Sequence, residues 1–307
     1  MNNKSILIKS INISKQKGVV KTPEKEVIID ESGIIGDAHN GNWHRQISLL
    51  DETSFNKQSK ILGKSLENGS FAENITTIGL DYNSINILDT LSNDNITLQI
   101  TQLGKECHGK GCAIYRKSGS CVMPIEGIFA NVLKGGVLNI NDKLNYHPKV
   151  IRVLVIKCEI NSNNIQSCSE EKLKIFSKEL EKYFSINKIA FEIHHVTVTD
   201  NKEDINCVTN NASQSFDIIL GINCVNYRKE LIDLFQKDNS DANTLKINNR
   251  LQSVSDIGYF DRFSIEAIGK SILLTFECSN TTNEFNFKKA FDCLLPALYE
   301  ANGIKQE

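Results

Sequence analysis

No stretch of this 307-residue chain offers the roughly 20 consecutive apolar residues that a membrane-crossing helix needs. No membrane partner is therefore expected. The opening residues, 1–9, lack the long apolar core of a secretory signal, so a cytoplasmic location is expected. Charge of one sign is also lacking. The formal net charge is −2, which leaves no global field to attract nucleic acid or an anionic surface. The Gly-x-Gly-x-x-Gly fingerprint of dinucleotide binding is missing, as is any ferredoxin-like cysteine run. A redox activity would need electrons from an external partner. No internal repeat and no low-complexity tail is found.

Length exceeds what one core ordinarily serves, so two domains are expected. Hydrophobic residues make up 40% and charged residues 23%, the balance of an ordinary globular protein. There are nine cysteines. A chain this long has little need of disulfide staples, and in a reducing compartment they are expected as thiols. Cys158, Cys168, Cys207, Cys224, Cys278 and Cys293 are scattered and read mostly as small buried hydrophobes.

The N-terminal half reads as short strands punctuated by Gly18, Pro23, Gly33, Gly36, Gly41, Gly79 and the cluster Asn93, Asp94 and Asn95. Residues 96–101 alternate apolar and polar, as in a half-buried strand. Residues 47–50 and 74–78 are further strands. A helix is expected over about 51–62, and a turn with an edge strand over 135–142. Many short strands with one or two helices predict a β-barrel-like domain. The pattern changes near His147, Pro148 and Lys149. Residues 150–156 are a nearly continuous β-branched run, the mark of a strand buried on both faces. Ser167 and Glu170 form a capping box, with Leu173, Phe176, Leu180 and Phe184 at helical spacing behind it. Strands are expected at 191–198, 216–220 and 271–276. Helices are expected at 228–236 and 285–300, the latter with Phe287, Phe291, Leu294 and Leu298 on one face. Alternating strands and helices predict a mostly parallel sheet. The fold class is therefore α/β overall, with domains at 1–148 and 149–307.

Three segments carry candidate chemistry. Residues 102–130 place Cys107, Cys112 and Cys121 within fifteen positions, among His108, Lys105, Lys110, Arg116 and Lys117. Basic neighbours lower a thiol's pKa, and the thiolate is the form that ligates soft metals or accepts sulfur. Cys112 is singled out as the reactive cysteine, the alternative being a structural cysteine beside a solvated basic loop. The spacing Cys-x4-Cys-x8-Cys is not that of a structural zinc site, although Cys107 with His108 could form a metal pair. Cys121, ahead of Val122, Met123 and Pro124, reads as a core cysteine at a packed strand end. The second segment, residues 36–48, sets Asp37, His39, His44 and Arg45 in a glycine-hinged turn before a strand. Arg45 suits a phosphate through its planar fork, while Asp37 could simply cap its own backbone. The third, residues 69–74, adds Glu73 as an acid or base, or as a solvated turn residue.

In this order the three segments resemble the MOSC domain, the C-terminal domain of molybdenum cofactor sulfurases. The resemblance runs over about residues 4–147 and is carried by Gly36–Asp37–Ala38–His39, His44–Arg45–Gln46, residues 69–74, Thr101 to His108, Cys112–Ala113–Ile114–Tyr115, Gly119, Cys121 to Pro124, Gly127 to Ala130, Gly135–Gly136 and Asp142. It implies a β-barrel-rich fold and work on the molybdenum cofactor, whose pterin dithiolene carries the metal. It also implies that Cys112 is the molybdenum ligand or sulfur carrier, with Cys107 and Cys121 as lesser metal candidates. Cofactor-binding candidates are Arg45, His39, His44, Lys105, Lys110, Asp37 and Glu73.

The second half resembles the molybdopterin-binding domain of cofactor adenylyltransferases, a three-layer α/β fold. The strands at 150–156, 217–220 and 272–274 carry that likeness. Departures are plain: Gly221, Ile222, Asn223 and Cys224 replace the family's Gly-rich turn, residues 277–281 replace its Pro-Gly-Ser-Pro turn, and Lys157 to Ile160 replace its acidic turn. Those glycines admit phosphates to backbone N–H groups, so adenylyl transfer is not expected. This half reads as a degenerate relative serving as a cofactor-docking or dimerising scaffold, and a homo-oligomer is among the expectations. Three functions follow: cofactor maturation by sulfur transfer or delivery to molybdoenzymes, molybdenum-dependent reduction of N-hydroxylated compounds, and a non-enzymatic scaffold for molybdoenzyme assembly. The expected partner is a molybdoenzyme or a maturation protein.

Overall fold

Seven strands cannot close into a ring by antiparallel pairing alone, because strand directions must alternate around it; one neighbouring pair has to be parallel. The first unit of this protein resolves that parity with a helix. In the computed structural model, which describes residues 4–63, 65–106, 121–159, 170–199, 216–222, 263–268, 271–276 and 288–304, the ring runs through β1 (Ser5–Ile13), β6 (Ile75–Ile78), β5 (Ile47–Asp51), β9 (Ile128–Lys134), β8 (Thr97–Leu103), β7 (Thr90–Ser92) and β11 (Lys143–His147), and back to β1. Every pairing is antiparallel except β5 with β6. A parallel pair needs a long crossover, and α1 (Glu52–Leu62) supplies it.

The helix begins where its sequence says it should. Asp51 caps it by accepting the Thr53 N–H at 3.0 Å, and Gly63 ends it in the left-handed region at φ 61°. The other Asp51 carboxyl oxygen accepts the Leu80 N–H at 2.8 Å. One side chain thus starts the crossover and anchors its return. The barrel core is aliphatic, with Ile6, Ile8, Leu49, Ile75, Leu98, Ile100, Ile128 and Leu144 all fully buried. A three-stranded sheet of β10 (Gly136–Asn139), β3 (Glu26–Asp30) and β4 (Gly33–Ile34) accompanies it, and β2 (Thr22–Glu24) pairs with β1. β10 is the edge strand that residues 135–142 predict.

Two readings need correction. The strand at 96–101 is not half-buried: Gln99 and Thr101 on its polar face are buried as well. The Thr101 hydroxyl lies 2.7 Å from the His44 carbonyl oxygen, so the turn before β5 covers that face. Met123–Glu126 is a short helix, α2, and not a strand end. Pro124 lies in its first turn, where its missing N–H costs nothing.

The chain divides into two compact units, Met1–Lys149 with Ile304–Glu307, and Val150–Gly303. In the second, the strands lie in the order β13 (Phe191–Thr199), β12 (Ile151–Glu159), β14 (Ile218–Ile222), β16 (Ser271–Phe276) and β15 (Phe263–Ile268), with β14 in the middle. Four strands are parallel and β15 runs antiparallel. The β-branched run fulfils its reading, since Ile151, Val153, Leu154, Val155 and Ile156 are buried. Between β12 and β13, α3 (Glu170–Ile186) buries Phe176, Leu180 and Phe184 at a spacing of four residues. Phe184 stacks on Phe191 at 5.3 Å, fastening the helix end to the start of β13. In α4 (Lys288–Ala301) Leu294, Ala297 and Leu298 are buried. Ser167, Phe287 and the helix expected at 228–236 lie outside the described residues, as do the turns at 223–226 and 277–281. No helix among the described residues is long and apolar enough to cross a membrane.

Candidate functional site

Residues 36–48 form a turn whose anchor is Asp37. Gly36 adopts φ 86°, a conformation a side chain resists. Asp37 is turned inward, its side chain 1% exposed. One carboxyl oxygen accepts the Ser14 N–H at 2.9 Å and the Lys21 ammonium at 2.5 Å. The other accepts the His39 N–H at 2.9 Å and lies 3.2 Å from His39 Nδ1. Burial works to raise the Asp37 pKa, but the contact with the His39 ring, the hydrogen bonds from Lys21 and the His39 backbone N–H, and the lysine charge outweigh it and hold the carboxyl well below its usual range. Asp37 therefore caps its own turn and also holds a buried cation.

The rest of the turn is locked by Gln46. Its amide donates to the carbonyls of Glu31 at 2.7 Å and Gly41 at 3.1 Å, and its oxygen accepts the Val132 N–H at 2.7 Å. On this frame Trp43, the single tryptophan of the chain, donates from Nε1 to the His39 carbonyl at 2.8 Å and stacks on the His39 ring at 6.1 Å. The Arg45 guanidinium stands 5.0 Å and the Lys17 ammonium 5.3 Å from the Trp43 ring centre. Both are within cation–π range. Half-buried His39, Trp43 and Arg45, with the exposed Lys17, thus form one cationic and aromatic wall, and buried Asp37 supports it from behind. His44 takes part through its carbonyl, which bonds to Thr101.

Glu73 does not join that wall. It is fully buried, with one oxygen accepting from Gly69 N–H at 2.5 Å and Thr76 hydroxyl at 3.2 Å, and the other from Phe71 N–H at 3.0 Å. Burial raises its pKa, partly offset by these donors. It is neither solvated nor presented to a ligand; it organises the loop at 69–74. Gly69 is obligatory there, at φ 87° and so close to the neighbouring chain that a Cβ would fall 2.3 Å from the Lys21 carbonyl oxygen.

A second group surrounds Phe129. The Lys105 ammonium is 6.0 Å from the Phe129 ring centre, and the Lys105 backbone N–H bonds to the Pro124 carbonyl at 3.2 Å. Half-buried Cys121 packs on the cluster of Leu50, Phe55, Phe71, Val122, Met123 and Phe129. The Phe129 carbonyl is 3.2 Å from the Thr101 hydroxyl that also reaches His44. The turn and the flanks of the cysteine segment are therefore neighbours. Cys107, Lys110 and Cys112 lie outside the described residues. Among the described residues, no group of three His, Cys, Asp or Glu side chains could hold a metal.

Sequence reasoning missed Lys21, Lys17 and Trp43. The uniqueness of Trp43 within a candidate turn was a usable signal. Nothing in the sequence marks Lys21.

The MOSC domain family model matches residues 36–145, which includes the turn, the loop at 69–74, β8, β9 and the cysteine segment. No curated protein matches the chain. Among solved structures, the chain is similar to the YUAD protein from Bacillus subtilis, at 17% identity and TM-score 0.41, over 47% of this chain and 97% of that one. It is similar to YiiM from Geobacillus stearothermophilus at 16% identity and TM-score 0.38, over 75% and 99%. A molybdopterin biosynthesis moea protein from Pyrococcus horikosii matches at 14% identity and TM-score 0.32, over 66% and 43%.

Proposed function

We propose that this chain handles the molybdenum cofactor, binding its metallated pterin in the first unit during maturation or delivery to a molybdoenzyme or another maturation protein. The observation that carries this reading is the MOSC match over residues 36–145, which contains both the cationic turn and Cys112. The donor set suits such a ligand. A metal that arrives held by its own dithiolene needs few protein ligands, and Cys112 would provide the thiolate. A phosphate-bearing pterin needs positive charge and a flat apolar partner, which Arg45, Lys17 and Trp43 offer together. Lys105 and Lys110 would add charge on the cysteine side, and Cys107 and Cys121 are secondary sulfur donors. When bound, the cofactor supplies the metal and its sulfur chemistry; the protein's residues hold it, orient it and keep the Cys112 thiolate ready to ligate it or to carry sulfur.

The second unit is read as a degenerate molybdopterin-binding-like domain that docks cofactor or partner. The parallel neighbours β12, β14 and β16 support this. On this reading the protein works in the cytoplasm, where cofactor maturation takes place.

Expression in a host that makes the cofactor, followed by molybdenum and pterin analysis, tests the proposal. Wild type is expected to carry both, and Cys112→Ser to lose molybdenum. Empty wild type that also forms no persulfide would defeat it.

A further inference from the structure

Lys21 belongs to no part of the reading above, yet it sits where that reading needs control. Its side chain is 1% exposed, like that of Asp37, while His39 is 26% exposed. The Lys21 ammonium is 2.5 Å from Asp37 Oδ2 and 3.2 Å from His39 Nδ1. His39 Nδ1 is also 3.2 Å from Asp37 Oδ1. A neutral imidazole has one ring proton, so Nδ1 either donates to the carboxylate or accepts from the ammonium.

Counting donors and acceptors decides between them. Without the imidazole, Asp37 already accepts three hydrogen bonds, from Ser14 N–H, Lys21 and His39 N–H. The Lys21 ammonium has three N–H groups, and Asp37 takes one. Leaving further donors of a buried cation unmet costs more than leaving a thrice-bonded carboxylate as it is. The Nδ1 lone pair is the acceptor at hand.

We infer that Lys21 is a positioning residue that fixes His39 as the neutral tautomer protonated on Nε2, so that the turn offers an N–H donor, beside Arg45 and Lys17, to an oxyanion of the bound ligand. Nε2 is the ring nitrogen turned away from the Lys21–Asp37 pair. The Trp43 indole, bonded to the His39 carbonyl and stacked on its ring, holds the imidazole in that pose. The ring state stands on the geometry alone; only the identity of the oxyanion as a cofactor group rests on the proposed function.

Nitrogen-15 NMR of the ligand-free, histidine-labelled protein near neutral pH reads the ring directly, with His39→Gln assigning the signals. The expected result is a bare Nδ1 and a protonated Nε2. In Lys21→Met the ring proton is expected on Nδ1, or on both nitrogens, because Asp37 then faces the imidazole without a competing cation. Wild type protonated on Nδ1 would overturn the inference, and this readout stands even if Lys21→Met does not fold. A folded Lys21→Met that keeps the wild-type ring state would also overturn it. Inorganic phosphate titrated against Trp43 fluorescence tests the ligand class. Phosphate is expected to bind wild type and to bind Lys21→Met about tenfold more weakly, or about 1.4 kcal/mol. Equal affinities, or no response in wild type, would remove the oxyanion role.

Discussion

The turn at 36–48 and the loop at 69–74 each bury a carboxylate, and they stabilise it by different means. Asp37 is met by a lysine ammonium, two backbone N–H groups and a histidine ring, and its pKa is held low. Glu73 is met by two backbone N–H groups and a hydroxyl, and its pKa is raised by burial. Only the first lies beside partly exposed cationic and aromatic groups. Lys21 feels the charge of both carboxylates, but it is hydrogen-bonded to Asp37, whereas the Glu73 oxygens are held by the donors of their own loop. That difference separates the residue we assign to the site from the one we assign to its support, although both carboxylates follow a small glycine-led segment in the sequence.

Four perturbations sharpen the contrast. The largest loss is expected for Lys21→Met, which strips a buried ion pair of one partner; about 3–5 kcal/mol should disappear in urea unfolding. A loss below about 1 kcal/mol would mean that His39 and the backbone suffice for Asp37. Gly69→Ala forces an alanine into φ 87° with its Cβ against the Lys21 carbonyl, and about 2–3 kcal/mol should be lost by the same measurement. Glu73→Gln turns an amide NH2 toward backbone donors, and about 1–2 kcal/mol is expected. It should leave Trp43 emission unchanged, because the loop and not the wall is affected.

The last contrast is one of sign with pH. Asp37 has a lowered folded pKa, so its contribution is present above the unfolded value of about 3.9 and fades as pH falls below it. Glu73 has a raised one, so its contribution is complete below about 4.3 and declines as pH rises through the folded value. The stability gap between wild type and Asp37→Asn should therefore shrink on acidification. The stability of wild type relative to Glu73→Gln should instead fall as pH rises. Parallel trends in the two series would erase the distinction.

Much of the frame was readable in the sequence, because period and punctuation report burial locally. The run at 150–156 became β12, the helix expected from about Asp51 became α1, and Phe176, Leu180 and Phe184 became the buried face of α3. Barrel closure was not readable in strand order, since pairing β1 with both β6 and β11 depends on contacts between distant segments. The polar face of β8 was misjudged for the same reason: what covers Thr101 comes from the turn at His44. Lys21 was invisible because a lysine entering a short strand looks solvated until an aspartate from another turn meets it. Glu73 was placed in the right segment with the wrong surroundings, because backbone N–H donors leave no mark on residue identity.

The measurement that bears most directly on the central claim is a titration of purified apo-protein with molybdenum cofactor, followed by fluorescence of Trp43, the one tryptophan present. If residues 36–48 form the binding wall, emission changes saturably, and Arg45→Ala weakens binding while the fold is retained. An unchanged emission from folded wild type across the titration would contradict the account.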